Sequence, residues 1–231
     1  MVHRGAERFP LCSTFKFLAA AFVLARVDKG QEKLERQVVY STADLVTYSP
    51  VTEKHADGDG MTMAEICEAA VTLSDNTAGN LMLDSFGGPA GLTSFLRSLD
   101  DRITRLDRRE TALGEAAPGD PRDTTSPLAM LELLQRLVLD NTLSPASRDR
   151  LVNWLVASKT GVKRLRAGFP RDWRIGDKTG AGNHNATNDV AVVWPANRAP
   201  LIVTAYYIEA EGSEDERSAV LADVGRFVAT A

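Results

Sequence analysis

The chain has 231 residues, of which 44% are hydrophobic and 25% charged, an ordinary balance for a globular protein with a sizeable core. Its formal net charge of −4, with acids and bases interspersed, excludes the basic patch that nucleic acids and anionic membranes require. The two cysteines and three histidines lie far apart without disulfide or metal-ligand spacing, so we expect no metal, no cofactor and no nucleic-acid partner.

The first predicted element is a helix that begins near Ser13. Its stretch from Phe17 to Ala25 is apolar on nearly every side, so the helix has no solvent face and must lie inside the protein. Ser13 would lie in the first turn, where free N–H groups and the helix dipole favour negative charge. Lys16 follows on the same face. This arrangement suits a serine nucleophile that a neighbouring amine activates.

Two other interpretations compete for this stretch. A serine followed by a lysine three positions later is a loose pattern, and many helices begin with a serine cap. A charged leader from Met1 to Lys16 before a short apolar block also resembles a signal peptide, and the block is far too short to span a bilayer. The motifs downstream decide between these interpretations.

Helices are predicted through the next part of the chain, after a small strand at 37–40. Thr62 to Glu65 is typical of a capping box at a helix start. Ser74-Asp75-Asn76 interrupts the helical pattern, and a second helix ends at Gly87-Gly88. A further helix is predicted to end near Leu99.

Between Asp107 and Asp123 the helical periodicity disappears and the charge rises. A loop of this length inside a compact domain is uncommon unless it has a function. Ser126-Pro127 and Ser144-Pro145 then start two more helices, each as a cap followed by a first-turn proline.

The hydrophobic period changes from helical to alternating after Pro170. Three strands are predicted at 174–179, 190–194 and 201–208, followed by a closing helix at 215–228. The fold class is therefore α+β, with a small antiparallel sheet that carries a helix.

Two regions follow from this order of elements. Residues 13–170 are predicted to form a mainly helical region with a buried central helix. Residues 171–231 are predicted to form the region of the sheet and the closing helix, to which residues 1–12 also belong.

Three short motifs follow one another along the chain: Ser13-Thr14-Phe15-Lys16, Ser74-Asp75-Asn76 and Lys178-Thr179-Gly180. The first has the form Ser-x-x-Lys, and Glu110 lies between the second and the third. Each motif alone is a weak signal, but together they mark class A β-lactamases and penicillin-binding proteins. From Glu7 almost to the C-terminus, the sequence resembles a class A serine β-lactamase. The resemblance implies the β-lactamase/transpeptidase-like fold.

The resemblance also implies catalytic roles. Ser13 would attack the β-lactam carbonyl and become acylated, while the N–H groups of Ser13 and Ala181 would form the oxyanion hole. Lys16, Ser74 and Lys178 would form a proton relay and charge cluster, in which Ser74 passes a proton to the ring nitrogen.

A second set of residues is implied to bind the substrate. The carboxylate would be held by a lysine, an arginine and a threonine hydroxyl, the acylamido side chain by an asparagine amide, and one wall of the cleft would be a tyrosine. The implied residues are Tyr48, Asn76, Arg164, Lys178, Thr179 and Gly180.

Glu110 separates a hydrolase from a penicillin target. A penicillin target stays acylated, whereas a class A enzyme uses a glutamate on its Ω loop as the base for deacylation. Arg108 and Asp123 match the family's ion pair that closes this loop, and Asn80 is expected to support the site. Without the other motifs, we would interpret Arg108-Arg109-Glu110 as a run of charged residues exposed to solvent.

Two positions depart from the family pattern. Gly114 stands where the family usually has an asparagine that helps to hold the hydrolytic water. We therefore expect slower deacylation of ordinary penicillins and an altered tolerance for bulky substrates. Gly182 stands where some members have a cysteine, so Cys12 and Cys67 are expected to be free thiols.

A larger departure is that only 12 residues precede Ser13, where the family has a helix and two strands. We expect a sheet of about three strands with an unpaired edge. A marginally stable chain with weak or no activity would follow. The resemblance implies a periplasmic or secreted monomer, although no signal peptide is recognisable.

The leading functional prediction is hydrolysis of a small-molecule β-lactam. The substrate would acylate Ser13, and water activated by Glu110 would then hydrolyse the acyl-enzyme. One alternative is a penicillin-binding transpeptidase, carboxypeptidase or related esterase, for which Glu110 would have no role. Another is an inactive remnant or ligand-binding module.

Overall fold

A computed structural model describes residues 1–230 of the chain. In these residues, the α-helices are α1 (Phe15–Asp28), α2 (Met63–Thr72), α3 (Asn76–Asp84), α4 (Gly88–Ser98), α5 (Pro127–Leu134), α6 (Pro145–Val156), α7 (Leu165–Gly168) and α8 (Glu214–Thr230). The strands are β1 (Phe9–Pro10), β2 (Gln37–Val38), β3 (Met61–Thr62), β4 (Thr124–Thr125), β5 (Arg174–Ala181), β6 (Thr187–Trp194) and β7 (Leu201–Tyr207).

Helix α1 lies at the centre of the helical region, as the sequence predicts. Most of its side chains are buried, and it packs against α2, α3, α4 and α6. The regular helix begins at Phe15, because Cys12–Thr14 forms a 3-10 turn ahead of it. Ser13 therefore lies in this turn, immediately before the helix that carries Lys16.

The predicted helix starts are confirmed by their caps. The Thr62 hydroxyl accepts a hydrogen bond from the backbone N–H of Glu65, and the Glu65 carboxylate accepts one from the N–H of Thr62. Ser126 caps α5 and Ser144 caps α6, each followed by the predicted proline. These caps satisfy backbone donors that have no partner inside the helix.

The α+β class and the three-stranded antiparallel sheet are confirmed, with strand order β5-β6-β7. Strands β5 and β6 are longer than predicted and pair in register from Arg174 opposite Trp194 to Ala181 opposite Thr187. The prediction followed the apolar alternation, which fails at the polar, glycine-containing ends of these strands. One face of the sheet packs on the helical core and the other on α7 and α8.

A two-residue pairing ties the start of the chain to the far end of the charged loop. Phe9 of β1 pairs with Thr125 of β4, and Pro10 pairs with Thr124. Such a short pair has no periodicity that a sequence could reveal. It fixes the segment that leads into Ser13.

Among residues 1–230, no helix is both long enough and apolar enough to cross a bilayer. In the same residues β7 pairs only with β6, as expected for a sheet with an unpaired edge. The expectation of marginal stability and weak activity stays a prediction.

The carboxylate of Asp75 connects the two parts of the helical region that flank Ser74. It is fully buried, and it accepts hydrogen bonds from the N–H groups of Val51 (3.0 Å), Thr52 (2.9 Å) and Ala78 (2.9 Å). It also accepts one from the Thr52 hydroxyl at 2.8 Å. Removal of this group would leave several buried donors without a partner.

We therefore expect Asp75→Ala to lower the free energy of unfolding by about 3 kcal/mol, because buried donors lose a charged acceptor. The matched control is Asp44→Ala, which removes an exposed carboxylate that accepts hydrogen bonds from the N–H and hydroxyl of Ser41. Urea unfolding of both variants measures the difference. Equal losses in the two variants would contradict this role for Asp75.

Candidate active site

The nucleophile candidate Ser13 lies against the amine of Lys16. Lys16 Nζ donates to Ser13 Oγ at 2.9 Å. Helix α3 approaches this pair closely, since a Cβ atom at Gly79 would lie 3.0 Å from Lys16 Cε and 3.3 Å from Phe15 Cζ. The glycine therefore makes room for the lysine side chain.

The Lys16 ammonium is fully buried and surrounded by acceptors. Besides Ser13, it donates to the carbonyl oxygen of Ser74 (2.8 Å) and to Asn76 Oδ1 (2.5 Å), and it lies 2.9 Å from Glu110 Oε1. Burial lowers the pKa of Lys16 below the usual lysine value, although the Glu110 carboxylate opposes this shift. A lowered pKa makes the amine a better proton acceptor for a serine hydroxyl.

Glu110 lies on the other side of the Ser13 hydroxyl. Ser13 Oγ donates to Glu110 Oε1 at 3.3 Å. The backbone of Glu110 is held by Asn80, whose Nδ2 donates to the Glu110 carbonyl and whose Oδ1 accepts from the Glu110 N–H, both at 2.9 Å. Asn80 thus fixes the position of the carboxylate relative to the serine.

The charged loop at 107–123, here called the Ω loop, is closed by Asp123. The predicted ion pair with Arg108 is present, with Arg108 Nε 2.6 Å from Asp123 Oδ2. The backbone N–H groups of Asp107 and Arg108 donate to Asp123 Oδ1 at 2.7 and 2.9 Å. The buried carboxylate therefore joins the two ends of the loop that carries Glu110.

Ser74 connects the two lysines of the site. Its hydroxyl accepts a hydrogen bond from Lys178 Nζ at 2.9 Å, while its carbonyl accepts one from Lys16. Lys178 is fully buried on β5 and also donates to the Thr179 carbonyl at 2.9 Å. Burial and, next, the nearby ammonium of Lys16 lower the pKa of Lys178 well below the usual lysine value.

The end of strand β5 approaches the turn that carries Ser13. A Cβ atom at Gly180 would lie 3.0 Å from the carbonyl oxygen of Leu11 and 3.2 Å from Cys12 Cβ, so a side chain here would crowd that turn. Ser13 and Ala181 consequently line the same cavity of about 400 Å³. Its lining is Ser13, Asn76, Glu110, Thr111, Ala112, Gly114, Glu115, Ala181, Gly182 and Asn183.

The two departures from the family pattern meet at this cavity. The backbone N–H of Asn183 donates to the carbonyl of Gly114 at 2.9 Å, which joins the Ω loop to the end of β5. A Cβ atom at Gly114 would meet nothing within 4 Å, whereas one at Gly182 would lie 2.8 Å from Cys12 Sγ. Cys12 and Cys67 are both buried free thiols.

Arg164 and Tyr48, two of the predicted substrate-binding residues, contact the backbone of neighbouring segments. Arg164 is buried, and its Nη1 donates to the carbonyl oxygens of Gly180 and Asn188, both at 2.8 Å. Tyr48 has a 55% exposed side chain, and its carbonyl accepts from the N–H of Asn76. A direct contact of Arg164 with a carboxylate, and a wall formed by Tyr48, stay predictions.

Sequence reasoning missed Thr160, which accepts a hydrogen bond from the Thr179 hydroxyl at 2.6 Å. Thr160 lies in the loop between α6 and α7, where the sequence has no motif and no periodicity. In residues 1–230, no group of three or more His, Cys, Asp or Glu side chains is arranged to hold a metal ion.

The site thus combines a serine hydroxyl between an amine and a carboxylate, a second hydroxyl on a second amine, and a strand end beside the serine. These are the parts that acyl transfer through a serine ester requires: a nucleophile, a base, a proton donor and N–H donors for an oxyanion.

Known proteins are similar to this chain in sequence and in fold. The chain is 47% identical over 227 residues to the β-lactamase OXY-1 of Klebsiella oxytoca, a match that covers 98% of this chain and 78% of that protein. It is 45% identical to the β-lactamase Toho-1 of Escherichia coli over 228 residues, 99% of this chain and 78% of that protein.

Solved structures give the same result. An ancestral class A β-lactamase superposes with a TM-score of 0.98 at 64% identity, over 99% of this chain and 87% of that chain. A model of the beta-lactamase enzyme family matches residues 1–231. The chain belongs to the beta-lactamase enzyme family, and within it to the class A serine β-lactamases.

Proposed function

We propose that this protein hydrolyses β-lactams through an acyl-enzyme on Ser13. The observation that carries the proposal is the position of Glu110 Oε1, 3.3 Å from Ser13 Oγ and 2.9 Å from Lys16 Nζ. A base this close to the serine can activate water against the ester that the serine forms.

In the acylation step, Ser13 Oγ forms a bond to the β-lactam carbonyl carbon and loses its proton. Glu110 Oε1 already accepts a hydrogen bond from Oγ and can take that proton, and Lys16 Nζ, 2.9 Å from Oγ, can take it when the amine is neutral. The N–H groups of Ser13 and Ala181 stabilise the oxyanion. The ring C–N bond then breaks, and the Ser74 hydroxyl gives its proton to the departing nitrogen. The proton taken from Ser13 returns to Ser74 through the cluster of Lys16, Ser74 and Lys178, which leaves Glu110 as a carboxylate.

In the deacylation step, a water molecule between Glu110 and the ester attacks the carbonyl carbon. Glu110 takes a proton from the water, the bond from carbon to Ser13 Oγ breaks, and Glu110 passes that proton to Oγ, 3.3 Å away, which restores the free enzyme. The hydrogen bonds from Asn80 and the closed Ω loop keep the carboxylate in place for this step.

The substrate carboxylate is anchored at the end of β5. The Lys178 ammonium supplies positive charge, the Thr179 hydroxyl a hydrogen bond, and the buried Arg164 guanidinium a positive potential behind the strand. Asn76 lines the cavity, and its Nδ2, which donates one hydrogen to the Thr47 carbonyl, has a second hydrogen for the acylamido side chain of the substrate.

Two alternatives receive no support. A penicillin-binding transpeptidase or esterase needs no glutamate beside the acylated serine, and the similar proteins named above are β-lactamases. The contacts among Glu110, Lys16 and Ser13 that the reaction needs are intact, so nothing in the site favours an inactive remnant. We further propose that the enzyme acts as a monomer outside the cytoplasm, as its family membership implies.

We expect Glu110→Gln to accumulate a covalent adduct with a chromogenic cephalosporin, because the amide cannot accept a proton from water. Loss of a general base slows the step by about 10²- to 10⁴-fold. Intact-mass spectrometry detects the adduct, and the rate of colour formation measures turnover.

The matched control is Glu115→Gln on the same loop. That carboxylate lines the same cavity but pairs with Arg108, so its variant should still turn over without a persistent adduct. Turnover by Glu110→Gln at the wild-type rate would overturn the assignment of the base. If the wild-type chain shows neither turnover nor adduct, the proposed function is wrong.

Gly114 gives a second prediction. Because a Cβ atom there meets nothing within 4 Å, Gly114→Asn can place an amide beside the hydrolytic water without a clash. We expect deacylation of a penicillin to be about fivefold faster in this variant, the effect of one added hydrogen bond. Gly114→Ala adds the carbon without the amide and should not accelerate the step. Single-turnover kinetics with equal or slower deacylation in Gly114→Asn would contradict the expectation.

The lowered pKa of Lys178 gives a prediction for pH. The charged amine holds the substrate carboxylate, and a pKa below the ordinary lysine value of 10.5 means that the charge is lost at lower pH than for a free lysine. As pH rises through the shifted pKa, KM for a penicillin should therefore rise. Arginine keeps its charge in this range, so Lys178→Arg should remove the rise. An unchanged pH dependence of KM in Lys178→Arg would contradict the role of Lys178.

A further inference from the structure

The segment 158–166, which comprises the loop after α6 and the first residues of α7, is bound to β5 and β6 by several polar contacts. The Ser158 hydroxyl donates to Asp177 Oδ2 at 3.1 Å, and Arg166 Nε donates to Asp177 Oδ1 at 2.7 Å. The backbone N–H of Leu165 donates to Asp189 Oδ2 at 3.0 Å. These contacts hold the segment against β5 and β6.

The backbone at Gly161 lies close to Asp177 of β5, and this contact positions Thr160, the residue before it. A Cβ atom at Gly161 would lie 2.0 Å from Asp177 Oδ2 and 2.6 Å from Asp177 Cγ, both atoms of a buried and bonded side chain. Only glycine fits at this point. The backbone of the loop can thus come close enough to β5 for Thr160 to reach Thr179.

The contact itself joins two hydroxyl groups. Thr179 Oγ1 donates to Thr160 Oγ1 at 2.6 Å, Thr179 is only 5% exposed, and Thr160 is half-buried. A threonine hydroxyl has one proton to donate and lone pairs that accept. In the free enzyme the proton of Thr179 therefore points at Thr160, away from any ligand.

We propose that Thr160 is a positioning residue for carboxylate binding, which acts by exchanging hydrogen-bond direction with Thr179. When the substrate carboxylate arrives, the Thr179 hydroxyl turns its proton to the anion, and Thr160 donates its own proton into the oxygen of Thr179. Because the present geometry fits donation by Thr179, the exchange also needs a small rotation of the Thr160 side chain, and no proton changes its oxygen. The inference rests on the proposed function, because it deepens the role of Thr179.

The consequence depends on the charge of the ligand. A hydroxyl that accepts a hydrogen bond is a stronger donor to a third group, since bonds in a chain polarise one another. A bond to an ionised acceptor is also about twice as strong as one between neutral groups. The contribution of Thr160 should therefore be large for a substrate with a free carboxylate and small for the same substrate as a neutral ester.

The test compares a penicillin with its methyl ester in the wild-type chain and in Thr160→Val, which removes the hydroxyl but keeps the shape. For the free acid, we expect kcat/KM to fall by about fivefold, mostly through KM, as for one lost hydrogen bond. For the ester, the rate of acylation by intact-mass spectrometry should stay unchanged. Thr160→Ser keeps a hydroxyl and should restore the wild-type value for the acid.

A merely structural role would give another result. Equal losses for the acid and the ester, or no loss for either, would overturn the inference, and so would a failure of Thr160→Ser to restore KM. Thermal unfolding of the Val and Ser variants shows whether either change acts through stability. The wild-type reaction with the free acid is measured first. If the wild-type chain shows no reaction, the proposed function is refuted and the inference with it. If the wild-type chain turns over normally but Thr160→Val shows no loss specific to the acid, the inference alone is refuted.

Discussion

The buried ammonium of Lys16 is the constraint on which the site depends. A charge without water must be solvated by the protein, and isolated burial of an ion is very costly. Lys16 obtains its acceptors from three segments of the chain: Ser13 in the turn before α1, Ser74 and Asn76 in the Ser-Asp-Asn turn, and Glu110 in the Ω loop. The same ammonium that lies beside the nucleophile therefore also holds the Ser-Asp-Asn turn and the Ω loop glutamate in position.

Close backbone approaches make these contacts possible. Gly79 leaves space for Lys16, Gly180 for the turn before Ser13, and Gly161 for the carboxylate of Asp177. A Cβ atom would lie 2.0 Å from its nearest neighbour at Gly161, which excludes a side chain, and 3.0 Å at Gly79 and Gly180, where a side chain would crowd its neighbours. The reactive side chains thus gain their short distances from residues that carry no chemistry.

Much of this arrangement could be predicted from the sequence. Periodicity and capping patterns located the central helix, the helix starts and the strands. The short sequence motifs located Ser13, Lys16 and Lys178. The loop partner Thr160 and the inward position of Arg164 could not be predicted, because both depend on contacts between distant segments without periodicity. The strand ends were missed for a related reason: Gly180 and Asn188 pair in the ladder although neither is a typical strand residue.

The balance of charge in the site explains why the substrate should be an anion. Lys16, Lys178 and Arg164 are buried cations near one end of β5, and Glu110 is the carboxylate that contacts Lys16. Burial raises the pKa of Asp189 well above its usual value, so this neighbour contributes less negative charge than an ordinary aspartate. Burial and the Lys16 ammonium lower the pKa of Lys178, while the carboxylates of Asp177 and Asp189 oppose this shift. A substrate carboxylate beside Lys178 would add to that opposition and raise the pKa of Lys178 as it binds.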